Sequence, residues 1–244
     1  MKAWFAAILL IVAGAQAASA NALTDAVKAG DLPAVQKLIA GGADVDAAEP
    51  DGTTALIYAA HDGGANIVAA LIKAGADVKH ANDYGASPMT EASAFGNAAI
   101  IEMLLKAGAD VDSPNPGGQT ALMAVARSGR VEAAKLLLKH GAHVNAKENW
   151  GGQSALMWAA AQSQVEMVKL LVDHGADVNA RSKVHQWPRK VTAEHRPKDM
   201  NKGGFTPLLY AARVGCIDCA KYLLKAGADI DLADPDRVSP LNLA

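Results

Sequence analysis

Apolar residues recur along this chain in two short patterns that alternate. The first, seen in "ALIYAA" and "ALMWAA", places Leu and Ala on one side of a short helix. The second, seen in "NIVAALIKAG" and "VEMVKLLVDHG", has apolar residues at i, i+1, i+4 and i+5, a stripe that a neighbouring element must cover. The patterns therefore predict pairs of short amphipathic helices, repeated along the chain.

A turn segment, Gly-Ala-Asp-Val or a near copy, follows each predicted helix pair. Successive copies are separated by 33, 33, 33, 34 and 52 residues, and each opens on a glycine: Gly42, Gly75, Gly108, Gly141, Gly175 and Gly227. A sustained period of 33 residues is typical of a stacked array of helical repeats.

Residues with capping chemistry stand at both ends of the first helix of each pair. Thr or Ser precedes the apolar run and is predicted to accept N–H groups of the first turn; these residues are Thr54, Ser87, Thr120, Ser154, Thr206 and Ser239. A glycine is predicted to close the helix in a left-handed conformation, at Gly30, Gly63, Gly96, Gly129 and Gly215. Ser163 takes this place once, which should cost about 1 kcal/mol.

Six four-residue segments recur in step with this period: "TALI", "SPMT", "TALM", "SALM", "TPLL" and "SPLN". They resemble the Thr-Pro-Leu-His signature of the ankyrin repeat, and the resemblance extends from Leu23 to Ala244. The resemblance implies an all-α ankyrin-repeat solenoid of stacked helix-turn-helix units with extended β-hairpin-like loops. It also implies a protein–protein interaction role without a cofactor. One departure is consistent, because the histidine of the signature is replaced by Ile57, Thr90, Met123, Met157, Leu209 and Asn242. The inter-repeat hydrogen bonds that this histidine makes in the family must be lost or replaced.

The landmarks divide residues 21–244 into about six repeats and the start of a seventh. We expect repeats at about 21–48, 49–81, 82–113, 114–146, 147–180 and 203–233, with a truncated unit at 234–244 and an insertion at 182–202. The first repeat lacks the Thr-Pro-Leu box and resembles an N-terminal cap. Because an array needs a polar cap at its end, we expect the natural chain to continue with more repeats or with a further domain.

The first twenty residues, "MKAWFAAILLIVAGAQAASA", differ from the repeats. A lysine, an apolar run and small residues at two Ala-x-Ala sites follow the order of a secretory signal peptide. The run is short of the roughly 20 apolar residues that span a bilayer. We expect cleavage after Ala17 or Ala20, and export to a bacterial periplasm or beyond, with no membrane span afterwards.

The insertion changes an otherwise ordinary picture of composition and charge. The chain of 244 residues has a formal net charge of −2, which gives no reason to expect nucleic acid as a partner. From Arg181 to Lys202, however, seven positive residues stand against two negative ones. With Trp187, Arg189 and Lys190, this segment would suit an acidic or phosphate-bearing partner; the alternative is a solvated loop that serves solubility.

A second candidate surface is the concave face, which ligands of the ankyrin family usually contact. One register position of the first helices carries Tyr58, Trp158 and Tyr210; a further set comprises His61, Arg127 and Arg213 a turn along, with Trp150 at a loop tip. Tyr, Trp and Arg are the residue types that anchor interfaces. The alternative is that these aromatic side chains only fill space between neighbouring repeats.

Cys216 and Cys219 are the two cysteines, in "GCIDC" at the start of a predicted helix. Their spacing allows a disulfide, which an oxidising compartment would favour. Inert thiols are the alternative, since Cys219 occupies a slot that is apolar in other repeats, and a redox thiol is a third. Zinc binding with His185 and His195 has no recognised ligand spacing.

No catalytic motif is present: "GGQSALM" lacks the last glycine of a nucleophile elbow, and HExxH and phosphate-binding loops are missing. We therefore interpret the sequence as a non-catalytic scaffold that binds another protein, with an acidic partner favoured by the insertion. Two alternatives stay open. One is a periplasmic redox or metal-handling protein that uses Cys216 and Cys219, and the other is the recognition module of a longer protein.

Overall fold

The structure is a computed structural model, which describes residues 22–185 and 202–243. Its helices are short and come in pairs, and the chain divides into two compact units, Met1–Pro116 and Gly117–Ala244. We call these the N-terminal unit and the C-terminal unit. The predicted signal peptide (1–20) lies outside the described residues.

The described part of the N-terminal unit, from residue 22 onward, contains three helix pairs. The helices are α1 (22–28), α2 (Leu32–Ala40), α3 (Ala55–Asp62), α4 (Ala65–Lys73), α5 (Pro88–Phe95) and α6 (Ala98–Lys106). The first helix of one pair packs on the first helix of the next, as α3 does on α5, and the second helices pack likewise, as α4 does on α6. This is the stacked arrangement that the 33-residue period predicts.

The C-terminal unit repeats the arrangement and adds a small two-stranded sheet. Its elements are α7 (Ala121–Arg127), α8 (Val131–Lys139), α9 (Ala155–Ala161), α10 (Val165–Asp173), β1 (Val184–His185), β2 (Lys202–Gly203), α11 (Pro207–Arg213), α12 (Ile217–Lys225) and α13 (Pro240–Leu243). α9 packs on both α7 and α11, and α10 packs on both α8 and α12. The predicted all-α repeat fold is confirmed in both units.

The predicted N-caps are mostly confirmed. The side chains of Thr54, Ser154 and Thr206 each accept a hydrogen bond from the backbone N–H three residues on. Ser87 forms a reciprocal capping box with Thr90. Thr120 is the exception, because its buried hydroxyl has no partner in the described part of the chain.

The predicted left-handed helix ends are also confirmed. Gly63 and Gly96 have φ values of 76° and 67° at the ends of α3 and α5. Ser163, which replaces glycine after α9, has a φ of 55° and so adopts a conformation that disfavours a Cβ.

The core lies between the two layers of helices within each unit. Second helices bury residues at i, i+1 and i+4, as at Ile67, Val68 and Leu71 of α4. The predicted fourth position of this stripe, Ile72, is only half-buried. Alanines of the first helices, such as Ala59, are fully buried, so that neighbouring helices approach closely.

Side-chain hydrogen bonds join successive loops within each unit. Asn145 accepts from the backbone N–H of Asp177 at 2.8 Å and donates to the carbonyl of Gly175 at 3.0 Å. Asn179 makes the same two contacts one repeat later, at 2.8 Å and 3.2 Å. In the N-terminal unit, Asp46 accepts from the next repeat at 2.7 Å. The loops thus connect neighbouring repeats through side chains as well as through packing.

Candidate partner-binding surfaces

Tyr58, on α3, belongs to a charged cluster of the N-terminal unit. Its hydroxyl donates to Glu49 at 2.8 Å, and Lys28 bonds the other oxygen of that carboxylate at 2.6 Å. The ammonium of Lys28 also lies 4.1 Å from the centroid of the tyrosine ring. The hydrogen bond from Lys28, followed by that from Tyr58, lowers the pKa of Glu49. The hydrogen bond to Glu49 in turn raises the pKa of Lys28 and the pKa of Tyr58.

His61 extends the same face of the N-terminal unit by one turn. Its Nδ1 donates to the carboxylate of Glu91 at 2.7 Å. Its ring meets the ring of Phe95 edge to face, with centroids 4.9 Å apart. Phe95 remains 52% exposed, so this pair leaves aromatic surface open to solvent.

Trp158 and Arg127 come together in the C-terminal unit. Arg127 ends α7, and its guanidinium carbon lies 5.5 Å from the centroid of the Trp158 ring on α9. The indole ring is half-buried, and its Nε1 is buried without a hydrogen-bond partner in the described part of the chain. Arg127 itself is exposed.

Tyr210 and Arg213 form a second cluster, on α11. The Tyr210 hydroxyl accepts from the side-chain amide of Gln153 at 2.6 Å, and its ring meets Phe205 at 5.3 Å. Arg213 lies 5.1 Å from the centroids of both rings. Only 7% of Tyr210 is exposed, so Arg213 and Phe205, rather than the tyrosine, present the surface.

Trp150, at a loop tip of the C-terminal unit, is 74% exposed. Its ring stacks on that of His185 with centroids 5.1 Å apart, and His185 donates through Nε2 to the Trp150 carbonyl at 2.9 Å. The contact holds a large aromatic surface in place at the point where the insertion begins.

The insertion starts and ends in the β1–β2 ladder. Val184 pairs with Gly203, and His185 pairs with Lys202. Next to the ladder, Ser182 accepts through Oγ from the backbone N–H of Phe205 at 2.9 Å. The predicted contact residues inside the insertion, Trp187, Arg189 and Lys190, lie outside the described residues, as does His195.

Cys216 and Cys219 are joined by a disulfide, with Cα atoms 5.3 Å apart. Cys219 is fully buried and Cys216 is 8% exposed, and Cys216 caps α12 by accepting from the Cys219 N–H through sulfur. Across residues 22–185 and 202–243, no cluster of three or more His, Cys, Asp or Glu side chains could hold a metal ion.

An apolar cavity beside the disulfide was not anticipated from the sequence. Its volume is about 370 Å³, and Leu208, Leu224, Ile230 and Leu241 are among its lining residues.

The sequence did carry a signal for the cation–aromatic contacts. Residues at the ends of first helices meet residues 30 or 31 positions later, as Lys28 meets Tyr58 and Arg127 meets Trp158.

These helix pairs, turns and loop hydrogen bonds define a helical repeat protein. Models of the ankyrin family match most of the chain: "Ankyrin repeats (3 copies)" over 23–115 and 111–182, and "Ankyrin repeat" over 203–235. The chain therefore belongs to the ankyrin-repeat family, whose members are generally protein-binding scaffolds without enzymatic activity.

The known proteins that are similar to this chain include one of solved structure and one curated relative. The crystal structure of the human ASB11 ankyrin repeat domain covers 91% of this chain and 90% of its own length, with a TM-score of 0.75 and 25% identity. Inversin from Gallus gallus is 51% identical over 41 residues, which is 17% of this chain and 4% of Inversin. The chain thus spans only a small part of that curated relative. In the described residues, no helix is both long and apolar enough to cross a bilayer.

Proposed function

We propose that this protein is an exported, non-catalytic scaffold that binds another protein through its first-helix faces, through the loop tip at Trp150 and through the adjacent basic insertion. The first-helix face of the C-terminal unit is defined here by Arg127, Trp158, Phe205 and Arg213. The observation that carries the proposal is the exposed ring of Trp150, held by His185 beside the insertion. A large ring that is fixed and still 74% exposed has the character of an interface anchor.

Rigid presentation is the mechanism that the contacts support. The arginines and rings of the first-helix face are held by one another, and the loops are held by hydrogen bonds from repeat to repeat. Side chains that are already ordered lose less conformational entropy when a partner binds. The insertion 182–202 would add positive charge to this surface. The repeat boundaries predicted from the sequence are also part of the proposal.

A photo-crosslinking amino acid placed at position 150 or 158 tests the binding surfaces. We expect the same protein of the source organism to be crosslinked from both positions. The matched control is Lys139, an exposed residue at the end of α8 on the second-helix layer. Equal crosslinking from position 139 would contradict the proposed surfaces, and no crosslink from any position would remove the binding function.

Export is tested separately, with residues 1–20 fused to a reporter enzyme that is active only after it leaves the cytoplasm of a bacterial host. We expect activity with the natural segment and none when charges are placed in its apolar run. Activity that persists without residues 1–20, or none with them, would refute export.

The redox alternative retains one supporting observation, the disulfide itself. Both sulfur-bearing residues are buried, with Cys219 fully enclosed and Cys216 8% exposed, and a redox thiol must be reached by its substrate. We therefore favour a structural disulfide. Rapid reduction of the folded protein by thioredoxin-like dithiols would favour the redox function instead.

A further inference from the structure

Positive charge on the first helices of the C-terminal unit has no acidic counterpart. The sequences of α7, α9 and α11 contain two arginines and no aspartate or glutamate. Arg127 and Arg213 are both exposed, and each lies over an aromatic ring. Within residues 22–185 and 202–243, neither guanidinium forms a salt bridge.

Several cations elsewhere in the described chain are paired with acidic side chains. On the first-helix layer of the N-terminal unit, Lys28 bonds Glu49 at 2.6 Å and His61 bonds Glu91 at 2.7 Å. On the second helices of the C-terminal unit, three lysines pair with an acidic residue three positions earlier: Lys135 with Glu132, Lys169 with Glu166 and Lys221 with Asp218. On the first helices of the C-terminal unit, by contrast, no acidic residue of α7, α9 or α11 is available to pair with the two arginines.

A guanidinium that lies on an aromatic ring is well prepared to bind a carboxylate. The ring supports the flat side of the guanidinium, while the N–H groups at its edge remain free to donate two parallel hydrogen bonds to two carboxylate oxygens. Because the ring already restricts the arginine, less side-chain entropy is lost on binding. Lysine has no planar group to stack in this way.

We propose that Arg127 and Arg213 bind two carboxylates of an extended acidic protein segment that lies along the first-helix face of the C-terminal unit. The inference rests on the proposed scaffold function and names the chemistry of its partner. The two arginines, rather than the insertion alone, select for acidic side chains. The rings of Trp158 and Phe205 offer apolar contact beside them.

The helix order sets the spacing of the two carboxylates. α9 lies between α7 and α11, with which it packs. Neighbouring helices are about 10 Å apart, so Arg127 and Arg213 are separated by about 20 Å. An extended chain rises about 3.3 Å per residue, so the two acidic residues should be about six positions apart.

The test uses synthetic peptides and the whole protein. The probe is a capped Gly/Ser peptide of about twelve residues with two glutamates about six positions apart. The first comparison peptide has the two glutamates adjacent, and the second has glutamine at both places. Binding is followed by NMR on the Nε–H signals of Arg127 and Arg213, which report contact with a carboxylate directly.

Three variants isolate the charge effect. In R127Q/R213Q both guanidinium groups are removed, and in R127K the charge is kept while the planar group is lost. K139Q, on α8, removes one charge from the other helix layer as a control. Because all three positions are exposed, we expect each variant to unfold at nearly the same denaturant concentration as the natural protein.

We expect the spaced peptide to bind about tenfold more tightly than the adjacent one, since both carboxylates can then be held at once. R127Q/R213Q should lose this advantage, R127K should lose most of it, and K139Q should keep it. Equal binding of the spaced peptide to R127Q/R213Q would overturn the inference. So would an oligothymidylate that requires both arginines while the acidic peptide does not bind, because the partner would then be a nucleic acid.

The two proposals fail in different ways. If the protein crosslinked from position 158 is still crosslinked equally in R127Q/R213Q, the scaffold function stands and the acidic-segment inference is wrong. If no protein is crosslinked to the natural surface, the scaffold function fails whatever the peptides do.

Discussion

Ser163→Gly should stabilise the protein, which is unusual for a substitution that only removes atoms. Ser163 has a φ of 55°, whereas the equivalent residues after α3, α5, α7 and α11 are glycines with φ between 67° and 76°. A Cβ in the left-handed region costs about 1–2 kcal/mol. Glycine itself lowers the free energy of unfolding by about 0.5–1 kcal/mol, because it gives the unfolded chain more conformational freedom. The net gain should therefore be about 0.5–1 kcal/mol.

The matched control is Ser128→Gly, one residue before the glycine that ends α7. Ser128 has a φ of −88°, where serine is unstrained, and its hydroxyl donates to the Ala124 carbonyl at 3.1 Å. The same chemical change should here destabilise by about 0.5–1 kcal/mol. The assay is urea unfolding followed by circular dichroism at fixed protein concentration. Destabilisation by both substitutions would refute the reasoning that backbone strain at Ser163 is relieved.

Three further results are expected. Asn179→Ala should destabilise the protein by about 1–2 kcal/mol in urea unfolding, because two hydrogen bonds to the next repeat are lost. Lys79→Ala, at the same position of an earlier loop, should change the free energy of unfolding little. Equal effects of the two substitutions would contradict this role of the loops. Reduction of the disulfide should cost roughly 2 kcal/mol, the loop-closure value for so short a loop, and an unchanged unfolding midpoint would show that it contributes nothing. Lys28→Met should raise the pKa of Glu49 in a carbon NMR titration toward its ordinary value of 4.5; an unchanged pKa would contradict the pairing.

The lowered pKa of Glu49 also determines the direction in which pH changes the stability of the protein. A carboxyl whose pKa is lower in the folded state binds protons more readily when unfolded. Its contribution to stability is therefore complete above its unfolded value of about 4.5 and is lost as the pH falls through the folded pKa. The contribution should be small, because 40% of the Lys28 side chain and 23% of the Glu49 side chain are exposed.

The repeat architecture could be predicted from the sequence because it depends on local features. Caps such as Thr54, left-handed glycines such as Gly63 and the stripe of α4 each act within a few residues, and the 33-residue period then determines which helices are neighbours. Ser163 was identified as strained for the same reason, since its place in the repeat fixes its backbone conformation.

The contacts of individual site residues could not be predicted in the same way. Tyr58 and Tyr210 hold one register position, yet Tyr58 is half-buried and bonded to Glu49, while Tyr210 is 7% exposed and bonded to Gln153. Tyr210 is contacted by the ring of Phe205, which precedes its helix, and by Arg213 at the end of that helix. Such burial depends on which side chains occupy the variable positions around the shared one, and the period alone does not specify them.

The most direct test of the scaffold function is hydrogen exchange of the natural protein with and without the partner identified by crosslinking. We expect added protection at the loop tip around Trp150 and at the exposed ends of α7 and α11, with α8, α10 and α12 unchanged. Protection confined to α8, α10 and α12 would contradict the proposed binding surfaces, because the partner would then bind the second-helix layer instead.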